Sequence, residues 1–352
     1  MKTKIRRPSL SKIWLYGSIL LLFGLSTYPA IIWWGWFIEQ DAIEAFDVEG
    51  SSARPEVPMK YSWAQDRLPE SLHKYFGRVD DVIINDMNDS CDVASRLPLL
   101  SSLSWLDELY VYSDDLRDDD IAQLSSLEKL HTLDIGGNHL TTESLAHISS
   151  LHGLYAFKIA YMAPGKLRLN HLAGLTNLNQ LFIGSLDTHS DDLKYLAGLT
   201  NLAYLRIKVN APQANDFQHI SNLSSLHYLG LKGSRLGDSY GNSFSGMPHV
   251  EKLDLSYTDV SDYTLTQLAE SETLKILNLT GTIISDDGVS GLKKLESLRE
   301  LRVSDTKVTE AGVLGLTQLE KLTVTTGQFS DDGIAALEAE GVSFYFMRKR
   351  EK

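Results

Sequence analysis

The 352-residue sequence holds one cysteine, Cys91. A single thiol closes no disulfide within the chain, so the fold owes nothing to a cysteine framework. Two short motifs, of metalloprotease and of nucleotide chemistry, are missing too. There is no H-E-x-x-H and no glycine loop followed by Lys that would cradle a phosphate. Positive charge is scarce: 33 Lys and Arg stand against 46 Asp and Glu, for a net charge of −13. Phosphate affinity comes from basic side chains, so this balance argues against general nucleic-acid binding while leaving room for a local basic patch.

Near the start, one sign of charge is absent and then all charge is. Residues 1–12 carry Lys2, Lys4, Arg6, Arg7 and Lys12 with no acid, and 13–38 carry no charged residue at all. A helix needs about 20 apolar residues to cross a hydrocarbon core. Trp14 and Tyr16 at one end, and Trp33, Trp34 and Trp36 at the other, suit the two interfaces. The basic flank predicts a single-pass signal anchor with its N-terminus in the cytoplasm and the remainder of the chain outside the cytoplasmic membrane. Two competitors are a cleaved signal peptide, disfavoured by bulky Tyr28 ahead of the best cut after Ala30, and a buried helix, disfavoured by the lack of a polar face. Residues 39–66 then read as an acidic linker with Gly50, Pro55 and Pro58.

The rest of the chain repeats. Val250, Leu253 and Leu255 recur 24 residues later as Leu274, Leu277 and Leu279, and again as Leu298, Leu301 and Val303. Stepping back by the same interval reaches Leu226, Leu202, Leu178, Leu154, Leu130 and Leu106, each followed by apolar residues three and five positions on. A second apolar set, such as Leu193, Leu196 and Leu199, has the spacing of a short helix. Each repeat is therefore a strand and a helix sharing one core. The L-x-x-L-x-L string resembles the leucine-rich repeat. Thr258-Asp259-Val260-Ser261-Asp262 and its counterparts at 282–286 and 306–310 resemble the ribonuclease-inhibitor-like branch found in many bacterial proteins. The resemblance implies an α/β fold: a leucine-rich repeat solenoid with a curved parallel sheet on the concave face and short helices on the convex face, after one N-terminal transmembrane helix. The lack of cysteine-bonded caps also points to the bacterial type.

The expected organisation places a capping region and atypical first repeat at 67–105, the array at 106–346 and a basic tail at 347–352. Ser71–Phe76 reads as a short capping helix, and Val79, Val82 and Ile84 as an offset first strand. Leu319 comes only 21 residues after Leu298, so it should close one coil's helix and open the next strand. Around Ala163-Pro164-Gly165, Ala211-Pro212-Gln213 and Gly237–Gly246 the connections should be irregular.

Paired acids follow Ser or Thr in Ser285-Asp286-Asp287-Gly288, Thr309-Glu310-Ala311-Gly312 and Ser330-Asp331-Asp332-Gly333. They recur at successive helix starts, which suits capping and the positive end of the helix dipole better than catalysis or calcium. His147, His171 and His219 share one repeat position without acidic or cysteine company, so solvated histidines are expected, with no metal and no cofactor.

In such an array the strand residues beside the core leucines face the concave side. The first repeats contribute Glu108, Tyr110, Tyr112 and Asp134 there. The middle ones contribute Lys158, Phe182, Tyr204, Arg206, Lys208, Tyr228, Lys232 and Lys252, a basic and aromatic stripe that forms the candidate partner-binding surface. Farther on come Asp254, Ser256, Asn278, Thr280, Arg302 and Ser304. The expectation is a non-enzymatic recognition module binding an acidic protein or an anionic envelope polymer, and no nucleic acid. The alternative is an envelope spacer or assembly subunit that meets its neighbours through its ends or convex side.

Overall fold

In the structure, a computed structural model, the described residues are 51–56, 78–86, 93–94, 97–103, 106–160, 162–163, 166–210, 212, 216–238 and 241–348. The expected anchor at 13–38, the capping helix Ser71–Phe76 and Cys91 lie outside them. No helix among the described residues is long and apolar enough to cross a membrane.

The described strands form one 14-stranded sheet. They run as β1 Ser51–Glu56, β2 Arg78–Asp86, β3 Glu108–Ser113, β4 Thr132–Gly136, β5 Ala156–Ala160, β6 Lys166–Leu167 and β7 Gln180–Thr188. There follow β8 Tyr204–Val209, β9 Tyr228–Gly230, β10 Lys252–Asp254, β11 Ile276–Asn278, β12 Glu300–Arg302, β13 Lys321–Thr325 and β14 Ser343–Met347. From β2 onward every pairing is parallel, and β6 alone lies off the main path, on β7.

The 24-residue step is the register of the ladder. Leu253 pairs with Leu277, and Leu277 with Leu301. The step then shortens to 21, with Leu301 opposite Leu322, as expected of a coil in which Leu319 serves twice. The shortened coil keeps only the four-residue helix Glu310–Val313.

One coil shows why the pattern folds. Leu274, Leu277, Leu279, Ile284, Val289, Leu292 and Leu295 are all 2% exposed or less. Each contributes about 1.5–3 kcal/mol by leaving water, and none could do so without the coils above and below.

The helix starts lock neighbouring coils together. The helix Asp262–Leu268 begins with an acid whose carboxylate accepts the backbone N–H of Ser285 at 2.8 Å and its hydroxyl at 2.6 Å, one coil on. Asp286, first in the helix Asp286–Ser290, does the same for Thr309, each at 2.7 Å. Asp238 does so for Ser261 and Asp118 for Thr141. Ser261, Thr309 and Ser330 cap their helices as read from the sequence, accepting from the backbone N–H groups of Tyr263, Ala311 and Gly333, whereas Ser285 makes no side-chain cap bond. The acids have a second task, bridging coils. That bridge needs room: a Cβ on Gly288 would stand 2.3 Å from Asp262 Oδ1, and one on Gly312 2.4 Å from Asp286 Oδ1.

Two expectations are corrected. Within the stretch read as linker, Ser51–Glu56 forms β1, antiparallel to β2. Its local propensity is poor, and the open edge of β2 supplies the pairing instead. The register slips between Arg54 and Pro55, so the residue without an N–H sits at the irregularity. On the concave side, Ser256, Thr280 and Ser304 were expected to face solvent and are 4% exposed or less. β10 and β11 stop two residues earlier, because the side chains of Asp254 and Asn278 accept the N–H groups of Ser256 and Thr280 and turn the chain inward. A left-handed residue follows in four successive coils: Gly233, Tyr257, Gly281 and Asp305.

Candidate functional site

The parallel ladder lays the candidate residues in rows that cross the strands. One row reads Tyr110, Asp134, Lys158, Phe182, Arg206, then Gly230, Asp254, Asn278 and Arg302. A second brings Gln180, Tyr204, Tyr228 and Lys252 side by side. All eight stripe residues are on the sheet or at its end, and they fall into two classes.

The first class is already neutralised. Lys158 places its ammonium 2.8 Å from Asp134 and 2.9 Å from the Tyr112 hydroxyl, which itself donates to Asp134. The same ammonium lies 5.6 Å from the Tyr112 ring centre. Burial, then the Asp134 hydrogen bond, raises the Tyr112 phenol above its ordinary value. The Lys158 ammonium is also raised: burial opposes its charge, but its bonds to Asp134 and Tyr112 win. Lys208 pairs with Asp187 at 2.9 Å. Farther along, Arg302 pairs with Glu300 at 2.6 Å.

The second class is not. Arg206, Lys232 and Lys252 are exposed and have no carboxylate within ion-pair distance among the described residues. Lys232 lies 5.1 Å over the ring of Tyr257. Tyr204 is 40% exposed, and its ring stands 6.3 Å from that of Tyr228. Tyr228 folds back along its own strand: a Cβ on Gly230 would meet its hydroxyl at 2.7 Å. Burial and the nearby Asp254 carboxylate raise the Tyr228 phenol, while Arg206 and Arg302 act against them. The phenol therefore stays protonated at neutral pH and can donate. Phe182, part buried beside Arg206 in the row, borders the group.

Sequence reasoning missed Tyr257. Its backbone is left-handed, φ 58°, where the equivalent positions one coil either way are Gly233 and Gly281. Its ring fills the space a side chain on Gly281 would need, 2.5 Å from that missing Cβ. The signal was present as an aromatic residue in a column with two glycines. Asp187 was missed for another reason: the register slips between Phe182 and Asp187, so counting repeat positions does not bring it opposite Lys208.

Among the described residues no group of three or more His, Cys, Asp or Glu could hold a metal. The described arrangement offers cations and phenols on the face of a parallel sheet.

A family model described as "Leucine Rich repeat" matches residues 270–293. No curated protein matches the sequence. Among solved structures, an internalin from Listeria monocytogenes is 18% identical, with 78% of this chain and 87% of that one covered and a TM-score of 0.48. A leucine-rich repeat protein of Leptospira interrogans is 15% identical, covering 71% of this chain and 74% of that one at a TM-score of 0.45. A TDR receptor is 16% identical, covering 75% of this chain and 47% of that one at a TM-score of 0.50. At such identities the likeness concerns the fold.

Proposed function

We propose that this leucine-rich repeat protein is a non-enzymatic recognition module, tethered to the cytoplasmic membrane by residues 13–38 and offering the concave face of its array to a partner outside the cytoplasm. The fold is that of a protein-interaction scaffold, and in such scaffolds the surface residues choose the partner. One observation carries the reading. Along a face where Lys158, Lys208 and Arg302 each have a carboxylate partner, Arg206, Lys232 and Lys252 have none among the described residues and stand among tyrosines. Lys and Arg that merely kept a sheet soluble would be scattered, with single pairs and no aromatic company. A rigid solenoid binds without ordering itself first, which favours affinity.

The test is site-specific photo-crosslinking in intact cells. A benzoylphenylalanine at position 204 should capture a discrete partner, whereas one at exposed Lys293 on the helix side should not. Capture from position 293 alone would replace concave recognition with the spacer reading. The tether is tested by sequencing the N-terminus of the mature protein: a start after Ala30 would mean a cleaved leader.

A further inference from the structure

Resting on the concave-face reading, we propose that the unpaired patch binds an extended acidic segment of a partner protein, laid across β8, β9 and β10 with a carboxylate between Arg206 and Lys252.

Arg206, Tyr204, Tyr228 and Lys252 lie on three consecutive strands. Neighbouring strands are about 4.8 Å apart, so the crossing spans roughly 10 Å, the length of three or four residues of extended chain. Tyr204 and Tyr228 form the floor of that crossing, and the Tyr228 hydroxyl donates toward an acceptor from a site next to Gly230, the one position in the row without a side chain. Lys232, held over the Tyr257 ring, supplies the third cation at the far edge of the strands.

Charge chooses the occupant. Three cations without a carboxylate partner among the described residues match a segment with a few acidic side chains. A long polyanion fits less well, because its uniform charge would meet Asp254 on β10, where a segment of mixed sequence can set an uncharged residue. Past Asp254 the row continues with Asn278 and with Arg302, already paired to Glu300. The paired cations mark the limits of the footprint: Lys158 and Lys208 already hold their carboxylates and have less to offer.

The test is fluorescence anisotropy on the full chain in detergent micelles. The probes are a fluorescein-labelled peptide, Gly-Ser-Asp-Glu-Phe-Glu-Asp-Ser, and its amide counterpart, Gly-Ser-Asn-Gln-Phe-Gln-Asn-Ser. The acidic probe should bind at least tenfold tighter than the amide. Arg206→Glu with Lys252→Glu should lower that affinity at least tenfold, whereas Lys158→Gln and Lys208→Gln should each change it less than threefold. Equal binding of the two probes, or equal losses from all the cation variants, would overturn the acidic-segment proposal. Inorganic polyphosphate that binds tighter than the acidic probe would overturn it in favour of an anionic polymer. Crosslinking from position 204 stands apart from these readouts: capture there with no preference for the acidic probe sinks this proposal alone, and no capture there sinks the concave-face reading beneath it.

Discussion

The ammonium of Lys158 stands 2.8 Å from the carboxylate of Asp134, one strand away, and both touch the hydroxyl of Tyr112 one strand farther. Asp134 is 8% exposed. A carboxylate so far from water is costly without a partner, while the half-exposed Lys158 is screened. Lys158→Met is therefore expected to destabilise the array by about 1 kcal/mol. Replacing Asp134 with Asn as well should cost less than the two single changes added together. Urea unfolding of the four members of that cycle checks the coupling, and strictly additive losses would mean the clasp stabilises nothing.

The two glycines of neighbouring coils behave oppositely. A methyl group on Gly312 would come 2.4 Å from Asp286 Oδ1 and 2.8 Å from the Asp286 backbone, where the bridge to Thr309 leaves no slack. Gly291 has right-handed φ of −66° and nothing within 4 Å of a Cβ. Gly312→Ala should cost roughly 1–3 kcal/mol through overpacking. Gly291→Ala should stabilise by about 0.4–1 kcal/mol through the unfolded chain. Thermal unfolding midpoints for the pair should move in opposite directions.

Much of this molecule was legible because a repeat makes its own alignment. The columns headed by Val250 and Leu274 assign the strand, the helix and the double use of Leu319 before any coordinates. They also set Asp134 and Lys158 in one column a coil apart, so that clasp could have been read as a pair of opposite charges. What the columns do not carry is a slip of register inside a strand or a pairing that lies outside the repeats. Asp187 reaches Lys208 only through a slipped register, and Ser51–Glu56 becomes a strand only because β2 has a free edge. Ser256 and Thr280 are buried because Asp254 and Asn278 capture their backbone N–H groups, a local competition that period-two counting ignores.

Tyr257 separates stability from function. A bulky residue in the left-handed region costs about 1–2 kcal/mol, and Asn adopts that conformation readily. Tyr257→Asn relieves the strain while removing the ring beneath Lys232 and beside Gly281. The unfolding midpoint should hold or rise, and affinity for the acidic probe should fall about fivefold. A tyrosine kept for packing alone would give the reverse, a lower midpoint with affinity intact.

The bridge from Asp238 to the next coil makes the array sensitive to acid. Burial opposes the charge on Asp238, but hydrogen bonds from the Ser261 hydroxyl, the Ser261 backbone and the Thr264 hydroxyl outweigh it and hold the carboxyl below its ordinary value. A group whose folded value is depressed contributes its stability in full above the unfolded value, about 3.9, and loses it as pH falls through the lower folded value. Bridge stability should therefore be flat from neutrality to about pH 5 and decline below pH 4. Asp238→Asn binds no proton in either state, so it should be less stable than the parent at pH 7, with the gap narrowing as pH drops toward 3. Urea midpoints of the two proteins across that range measure this directly. A gap that stayed constant, or widened in acid, would assign the loss to packing around Ser261 and Thr264 rather than to the ionised carboxylate.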